Sequence, residues 1–174
     1  KGAKNNMSVV YVYNLNTKQE IAVTEDWDDS SSPVFSTDGK YLIFTSARDF
    51  NPTYGQLEWN HTYNRMNGVY IAMLAKDTPS PLLPTDGAAD APKKDDKAAP
   101  ASVKVDADGI FGRLIKLPLP AGSYRNFFSD GKKVYYASGR DTKAFDFKTQ
   151  KEEAVADASF SITPGSKKAL FSKR

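Results

Sequence analysis

One short pattern occurs three times along the chain: an aromatic residue, a Ser or Thr, a turn that contains glycine, a lysine, an apolar run and a closing serine. The three occurrences span 31–46, 126–138 and 158–172. In the first, an Asp-Gly pair separates two β-prone runs. This is the strongest short-range signal for a β-hairpin, because glycine takes the positive φ that a tight turn needs. We therefore predict three hairpins, with structural turns at Asp38, Gly39, Asp130, Gly131 and Gly165.

A second repeated unit lies between the hairpins. Residues 9–24 and 142–156 each contain two short β-prone runs joined by a polar turn, and 68–74 matches the first of these runs. Two successive hairpins make a four-stranded antiparallel sheet, and several such sheets around an axis make a β-propeller. The spacing from Asp130 to Gly165 is close to the length of one blade. This spacing favours an all-β propeller over a β-sandwich whose hairpins resemble one another by chance.

The strand pattern predicts how the domain is divided. We expect a single partial β-propeller domain with about three blades' worth of strands, which starts and ends in the middle of a blade. Sheet edges and blade faces would then be exposed, and such surfaces favour self-association. The predicted parts are a half blade at 8–24, a blade at 31–118 with inserts at 47–67 and 85–102, a blade at 123–156 and a half blade at 158–173, all within the single domain 1–174.

Two insertions interrupt the first complete blade. The segment 85–102 is rich in Ala, Pro, Lys and Asp and has no aromatic residue, which predicts a mobile surface loop. The segment 47–67 is too long for a hairpin connection and too aromatic for a disordered linker. It either folds as a small cap against the propeller, which we favour, or contacts a ligand or a neighbouring domain. The residues for such a contact are Arg48, Asp49, Tyr54, Trp59, His61, Tyr63 and Arg65.

Composition excludes several kinds of function. The net charge of +3 is mild and the lysines are scattered at turns, which argues against nucleic-acid binding. The chain has no cysteine, so a disulfide framework and a thiolate metal site are excluded. A chain without cysteine suits an exported, periplasmic location, which we favour, and also a cytoplasmic one. No apolar run is long enough to span a membrane. We expect Trp27, in the acidic connection 25–32, to pack under a loop.

Catalytic chemistry is not apparent in the sequence. The chain has one histidine, His61, and no serine lies in a nucleophile-elbow pattern. Nucleophilic catalysis needs both a nucleophile and a base. The Asp106-x-Asp108-Gly109 stretch hints at a calcium loop, but the remaining oxygen ligands and the distal glutamate are missing. We therefore predict no catalytic residue, no cofactor and no metal site in this chain.

Several stretches together resemble the propeller of tricorn-type serine proteases. The hairpins alone resemble the common Asp-Gly-Lys propeller repeat, which Tol-system propellers and propeller-bearing peptidases share, so they are weakly specific. The long insertions and the segment that follows them are more specific, and the resemblance covers about 26–174. The matching stretches are Ser46–Tyr54, Glu58–Asn60, Lys76–Pro81, the charged insert, Asp108-Gly109-Ile110-x-x-Arg113 and Leu117-Pro118-x-Pro120-Ala121-Gly122-x-Tyr124.

The resemblance implies a role within a larger peptidase. Tricorn-type proteases carry one or two propellers, a PDZ-like domain and a serine-protease core, and their propellers are thought to guide or filter peptides toward that core. The partners implied are therefore the remaining blades, the PDZ-like and protease domains of the parent protein, and peptides. No catalytic residue of the family is carried over to this chain. The alternative is a Tol-type propeller that acts as a protein–protein interaction module.

Overall fold

The computed structural model describes residues 5–49, 52–54, 61–63, 66–83, 103–162 and 169–172, and it gives only the backbone for 52–54 and 61–63. These residues form strands and turns, with one short 3-10 helix at Ile110–Arg113, so the predicted all-β fold class is confirmed. The strands are β1 (Tyr11–Tyr13), β2 (Glu20–Ala22), β3 (Ser30–Phe35), β4 (Tyr41–Ser46), β5 (Pro52–Tyr54), β6 (His61–Tyr63), β7 (Gly68–Met73), β8 (Leu114–Lys116), β9 (Tyr124–Ser129), β10 (Lys133–Ser138), β11 (Asp141–Asp146), β12 (Lys151–Ala156), β13 (Ser159–Ile162) and β14 (Ala169–Ser172).

Two four-stranded antiparallel sheets form the centre of the described structure. One has the strand order β3-β4-β7-β8, and the other follows the chain as β9-β10-β11-β12. The pairs β1-β2 and β13-β14 form two-stranded sheets before and after them, and β5-β6 forms a separate hairpin. Each hairpin and its successor therefore pair in sequence order, as the propeller pattern requires.

The Asp-Gly turns adopt the conformation that the sequence predicts. Gly39 has φ 69° and Gly131 has φ 84°, both in the left-handed region. Asp38 Oδ1 accepts hydrogen bonds from the Ser36 hydroxyl at 2.5 Å and from the backbone N–H of residue 40 at 3.2 Å. Asp130 Oδ1 accepts backbone bonds from residues 132 and 133. The third predicted turn, at Gly165, lies outside the described residues.

Two apolar clusters hold the sheets together. Tyr41 and Ile43 point to one side of β4 and pack with residues of the β9–β12 sheet, including Tyr136 and Phe145. Leu42, Phe44 and their neighbours on β7 face the other way and pack with Val10 and Val23 beside the β1-β2 sheet. Every residue of β4 and β7 is consequently buried. Near-continuous apolar runs are expected where a sheet is covered on both faces, as it is inside a propeller.

The first strands of successive sheets lie side by side, since β3 contacts β9 and β9 contacts β13. Both β3 and β9 contain a bulge at the same point of the hairpin. The bulges place Ser32 (φ 56°) and Asn126 (φ 54°) in left-handed conformations. A bulge bends its strand and redirects its side chains. The recurrence of this bulge is a structural repeat that the sequence pattern alone did not indicate.

Two details differ from the sequence-based expectations. The expectation that Trp27 packs under a loop is wrong, because 80% of its surface is exposed. The acidic connection is also shorter than predicted, since β3 already begins at Ser30.

The predicted mobile loop at 85–102 lies outside the described residues. Within the described ranges, no helix is long and apolar enough to cross a membrane.

Candidate functional site

The base of the 47–67 insertion is fastened to the β3-β4-β7-β8 sheet by charges. The Arg48 guanidinium lies 3.3 Å, Nε to Oδ2, from Asp28 and sits 5.4 Å from the centre of the Tyr70 ring. Burial raises the pKa of the Tyr70 hydroxyl, and the Asp49 carboxylate nearby raises it further. The buried Arg48 Nε makes no hydrogen bond among the described residues, but the ion pair and the ring contact hold the guanidinium within the chain, which limits its use as a ligand contact.

Asp49 serves the same end of the insertion. Its Oδ1 atom forms an ion pair with the Lys116 ammonium on β8. Its backbone N–H donates a hydrogen bond to the carbonyl of Met66 at 3.0 Å. The latter bond closes the two ends of the insertion against each other. Among the described residues, the second carboxylate oxygen of Asp49 accepts no hydrogen bond although it is buried. Asp49 is thus placed to anchor the insertion.

The insertion itself carries the β5-β6 hairpin. In its register, Tyr54 pairs with His61 and Pro52 pairs with Tyr63. The structure therefore brings three of the aromatic and imidazole residues singled out in the sequence onto one hairpin. Trp59 and Arg65 lie outside the described residues. A structured hairpin in this insertion agrees with its being too aromatic for a disordered linker.

A second candidate surface is formed by the first strands β3, β9 and β13. Most of their exposed residues are small or polar, although Phe35 at the end of β3 is also 43% exposed, whereas aromatic residues such as Phe127 and Phe160 are buried between them. The bulges in β3 and β9 lie within this surface. These positions were not among the candidate residues named from the sequence, although β3 and β9 each contribute their second and third residues and β13 contributes its first and third. The exposed residues that define this inner-strand surface are Ser31, Ser32, Arg125, Asn126, Ser159 and Ser161.

A polar cavity of about 650 Å³ adjoins the inner-strand surface. Arg125, Arg140 and Asp157 contribute charged groups to its lining, together with Ser159 and Ser172. The Arg125 guanidinium donates to the carbonyl of Gly139 at 2.6 Å, which fixes it at the cavity wall. Both arginines are exposed, so their remaining N–H groups are available to carbonyl or carboxylate oxygens.

Several buried hydroxyl groups have structural partners. The Ser36 hydroxyl accepts from the Tyr41 N–H and donates to Asp38, and the Ser30 and Ser46 hydroxyls bond to each other at 2.9 Å. The Asp106 and Asp108 carboxylates of the calcium-like stretch pair with Lys104 and Lys76. In the described part of the chain, no cluster of three His, Asp or Glu side chains could hold a metal ion.

Four-stranded antiparallel sheets that stack face to face, with their first strands side by side, define a segment of a β-propeller. The chain belongs to the family described as the second β-propeller domain of tricorn protease, which matches residues 1–174. This is the family type that the resemblance in the sequence indicated, and it favours that interpretation over a Tol-type propeller.

Curated relatives carry tricorn names. Putative tricorn protease homolog 2 of Streptomyces coelicolor is 30% identical over 110 residues, which are 60% of this chain and 9% of that protein. Tricorn protease homolog 1 of the same organism is 31% identical over 98 residues, or 53% of this chain and 9% of that protein. The putative tricorn-like protease C-terminal subunit of Sulfurisphaera tokodaii is 28% identical over 166 residues, or 87% of this chain and 18% of that protein. The chain thus spans less than a fifth of these relatives.

A solved structure has the same fold. The crystal structure of the tricorn protease superposes with a TM-score of 0.74 and 17% sequence identity, covering 98% of this chain and 18% of the other. At this identity the likeness establishes the fold, which is that of a tricorn propeller segment.

Proposed function

We propose that this chain is a noncatalytic propeller segment of a tricorn-like serine peptidase, and that it guides or filters peptide substrates toward a protease core elsewhere in the parent protein. The relatives named as tricorn proteases support a peptidase parent. The remaining blades and the PDZ-like and protease domains of the parent would be its partners. The segment itself would hydrolyse no peptide, because the sequence contains a single histidine, His61, and no nucleophile-elbow pattern around a serine.

The observation that carries this proposal is the polar inner-strand surface beside the arginine-lined cavity. Propeller blades surround a central channel that their first strands line. Serine and asparagine side chains offer short, adaptable hydrogen bonds to a passing peptide backbone without holding it by a large apolar contact. Arg125 and Arg140 add cations that attract peptide carboxylates. Weak contacts of this kind suit passage rather than capture.

Peptide binding tests this role. A short labelled peptide with acidic side chains should bind the purified chain weakly, and Arg125→Ser should weaken that binding several-fold because it removes a guanidinium from the cavity wall. Lys148→Ser removes an exposed lysine from a β11-β12 turn away from the cavity and is the matched control. Mass spectrometry of the same mixtures should show an uncleaved peptide. Equal binding by both variants and the unchanged chain would contradict the role of the inner strands.

The 47–67 insertion has a separate proposed role. Arg48 and Asp49 anchor its base, and the favoured interpretation remains a small cap that folds against the propeller. The alternative is that Tyr54, Trp59, His61, Tyr63 and Arg65 supply a contact with a ligand or a neighbouring domain of the parent.

The blade boundaries are proposed as 8–24, 31–118, 123–156 and 158–173 within one propeller domain. Their test is the order in which segments lose protection in hydrogen exchange, since each blade should behave as one cooperative unit.

A further inference from the structure

Trp27 is the most unusual exposed residue of the described structure. It lies in the connection between β2 and β3, and 80% of its surface is open to solvent. Tryptophan is among the residues most enriched at interface hot spots, because its large ring buries much apolar area with few rotatable bonds. An indole left this exposed therefore suggests a surface that is covered by a partner.

The connection that carries Trp27 is fastened on both sides. The Asn5 side-chain amide donates to the carbonyl of Asp26 at 2.5 Å, and Asp29 Oδ1 accepts from the Ser8 N–H at 2.9 Å. The Asp29 carbonyl accepts from the Ala47 N–H at 2.9 Å, and Arg48 pairs with Asp28. These bonds already order the backbone of the connection. Little binding free energy is therefore spent on ordering this connection when a partner covers the indole.

The charge around Trp27 indicates the chemistry of that partner. Four carboxylates flank the indole within the Glu25–Asp29 stretch, although the chain as a whole carries a net charge of +3. Asp28 and Asp29 have the partners given above. Glu25 and Asp26 are exposed, and neither carboxylate pairs with a cation of the described residues. An accessible indole that directly follows two exposed carboxylates favours a cation over its ring face, and the carboxylates add electrostatic attraction.

We propose that Trp27, Glu25 and Asp26 form a docking site for a basic segment of another polypeptide chain. A lysine or arginine of that segment lies over the indole, and its neighbouring cations face Glu25 and Asp26. The site shares no residue with the inner-strand surface, so it stands whether or not that surface binds acidic peptides.

The experiment compares two labelled peptides, one of alternating Lys and Gly and its Glu counterpart, by fluorescence anisotropy with the purified chain. The lysine peptide should bind and the glutamate peptide should not bind at this site. Trp27→Ala should weaken lysine-peptide binding about fivefold to tenfold. Glu25→Gln combined with Asp26→Asn should also weaken it and should flatten its dependence on salt between about 0.05 M and 0.5 M NaCl. Leu15→Ala, which truncates an exposed apolar residue in the β1-β2 turn, is the matched control and should bind as the unchanged chain does.

Three results would overturn the proposal. These are no binding of the lysine peptide to the unchanged chain, equal binding of both peptides, or equal lysine-peptide affinity in the Trp27→Ala variant. Thermal melts of each variant show whether it is folded, and since all three residues are exposed the melts should coincide. Arg125→Ser separates this site from the proposed peptide-guiding surface, because it should leave lysine-peptide binding intact.

Discussion

At the scale of single residues, the packing of two Asp-Gly turns makes a sharp prediction. The turns of neighbouring sheets touch: the Thr37 N–H donates to the Ser129 carbonyl at 3.0 Å, and a Cβ added at Gly131 would lie 2.6 Å from Asp38 Oδ2. Gly131→Ala must therefore both hold a non-glycine residue at φ 84° and displace a carboxylate. We expect a loss of about 1–3 kcal/mol in the free energy of unfolding, measured by urea denaturation.

Two further glycines separate these causes. Gly139 also has a positive φ, 64°, but a Cβ there meets nothing within 4 Å, so Gly139→Ala reports backbone strain alone. Gly112 has open space and no positive φ, so Gly112→Ala should leave stability nearly unchanged. If all three variants lost the same free energy, the contact between the turns would have no energetic weight.

The residues also show where sequence reasoning ends. Asp38-Gly39 and Asp130-Gly131 could be predicted as turns, because the required φ is a property of the local chain. Their contact with each other could not, because it depends on how two sheets stack. The prediction that Trp27 packs under a loop was wrong for a related reason. A large aromatic ring normally packs, and only the three-dimensional arrangement reveals that nothing in the described structure covers it.

At the scale of elements, side-chain contacts tie β12 to its sheet in addition to its backbone pairing with β11. Glu152 on β12 accepts from the buried Tyr136 hydroxyl on β10 at 2.6 Å and pairs with Lys143 on β11 at 3.2 Å. Burial raises the pKa of the Tyr136 hydroxyl well above its ordinary value, and the hydrogen bond to Glu152 raises it further. These two contacts of Glu152, together with the ion pair between Glu153 and Lys133 on β10, couple the outer edge of the sheet to its core.

The sign of the resulting pH dependence follows from that raised pKa. Above pH 10 the unfolded chain releases the Tyr136 proton while the folded chain keeps it, so stability is full below pH 10 and falls as the pH rises. Tyr136→Phe should lose about 1 kcal/mol at neutral pH, where it removes the hydrogen bond. Above pH 10 the stability of the variant should fall less steeply than that of the unchanged chain. The two slopes should differ by up to about 1.4 kcal/mol per pH unit. Tyr13→Phe, at an exposed tyrosine, should match the unchanged chain in urea denaturation both at neutral pH and above pH 10. Identical alkaline slopes for all three proteins would contradict the assignment of this pH dependence to Tyr136.

One motif behind the family resemblance has a structural explanation. In the Asp108-Gly109-Ile110-x-x-Arg113 stretch, Gly109 has φ 71° and begins the 3-10 helix. The Arg113 guanidinium donates to the carbonyls of Met73 and Asp108, at 3.0 and 2.9 Å. These bonds hold the end of β7 to the start of β8. The sequence placed this stretch within the blade predicted at 31–118, but the role of Arg113 could not be inferred, because its partner at Met73 is 40 residues away.

At the scale of the whole molecule, the repeated hairpins were enough to predict the propeller class, because each repeat is a complete unit of local pairing. The inner-strand surface was missed because four of its six defining residues are serines and the other two, Arg125 and Asn126, are ordinary polar residues in the sequence. They become notable only when β3, β9 and β13 lie side by side. The exposed carboxylates and arginines likewise acquire meaning only from what surrounds them, so the candidate sites could be located in part and the fold almost entirely.

The exposure of the last sheet leads to a prediction about association. On β14, Leu170 is 72% exposed and Phe171 is 50% exposed, and a two-stranded sheet is marginal unless something packs on it. Paired apolar side chains of this kind favour association, because burial of apolar area is favourable at about 25 cal/mol per Å². Light scattering on the purified 174-residue chain should therefore give a mass that rises with concentration. Leu170→Ser combined with Phe171→Ser should shift that rise to higher concentration, whereas Leu15→Ser, which changes a residue 84% exposed in a turn, should not. A mass of one chain at every concentration, with a cooperative melt, would show that this surface does not drive association.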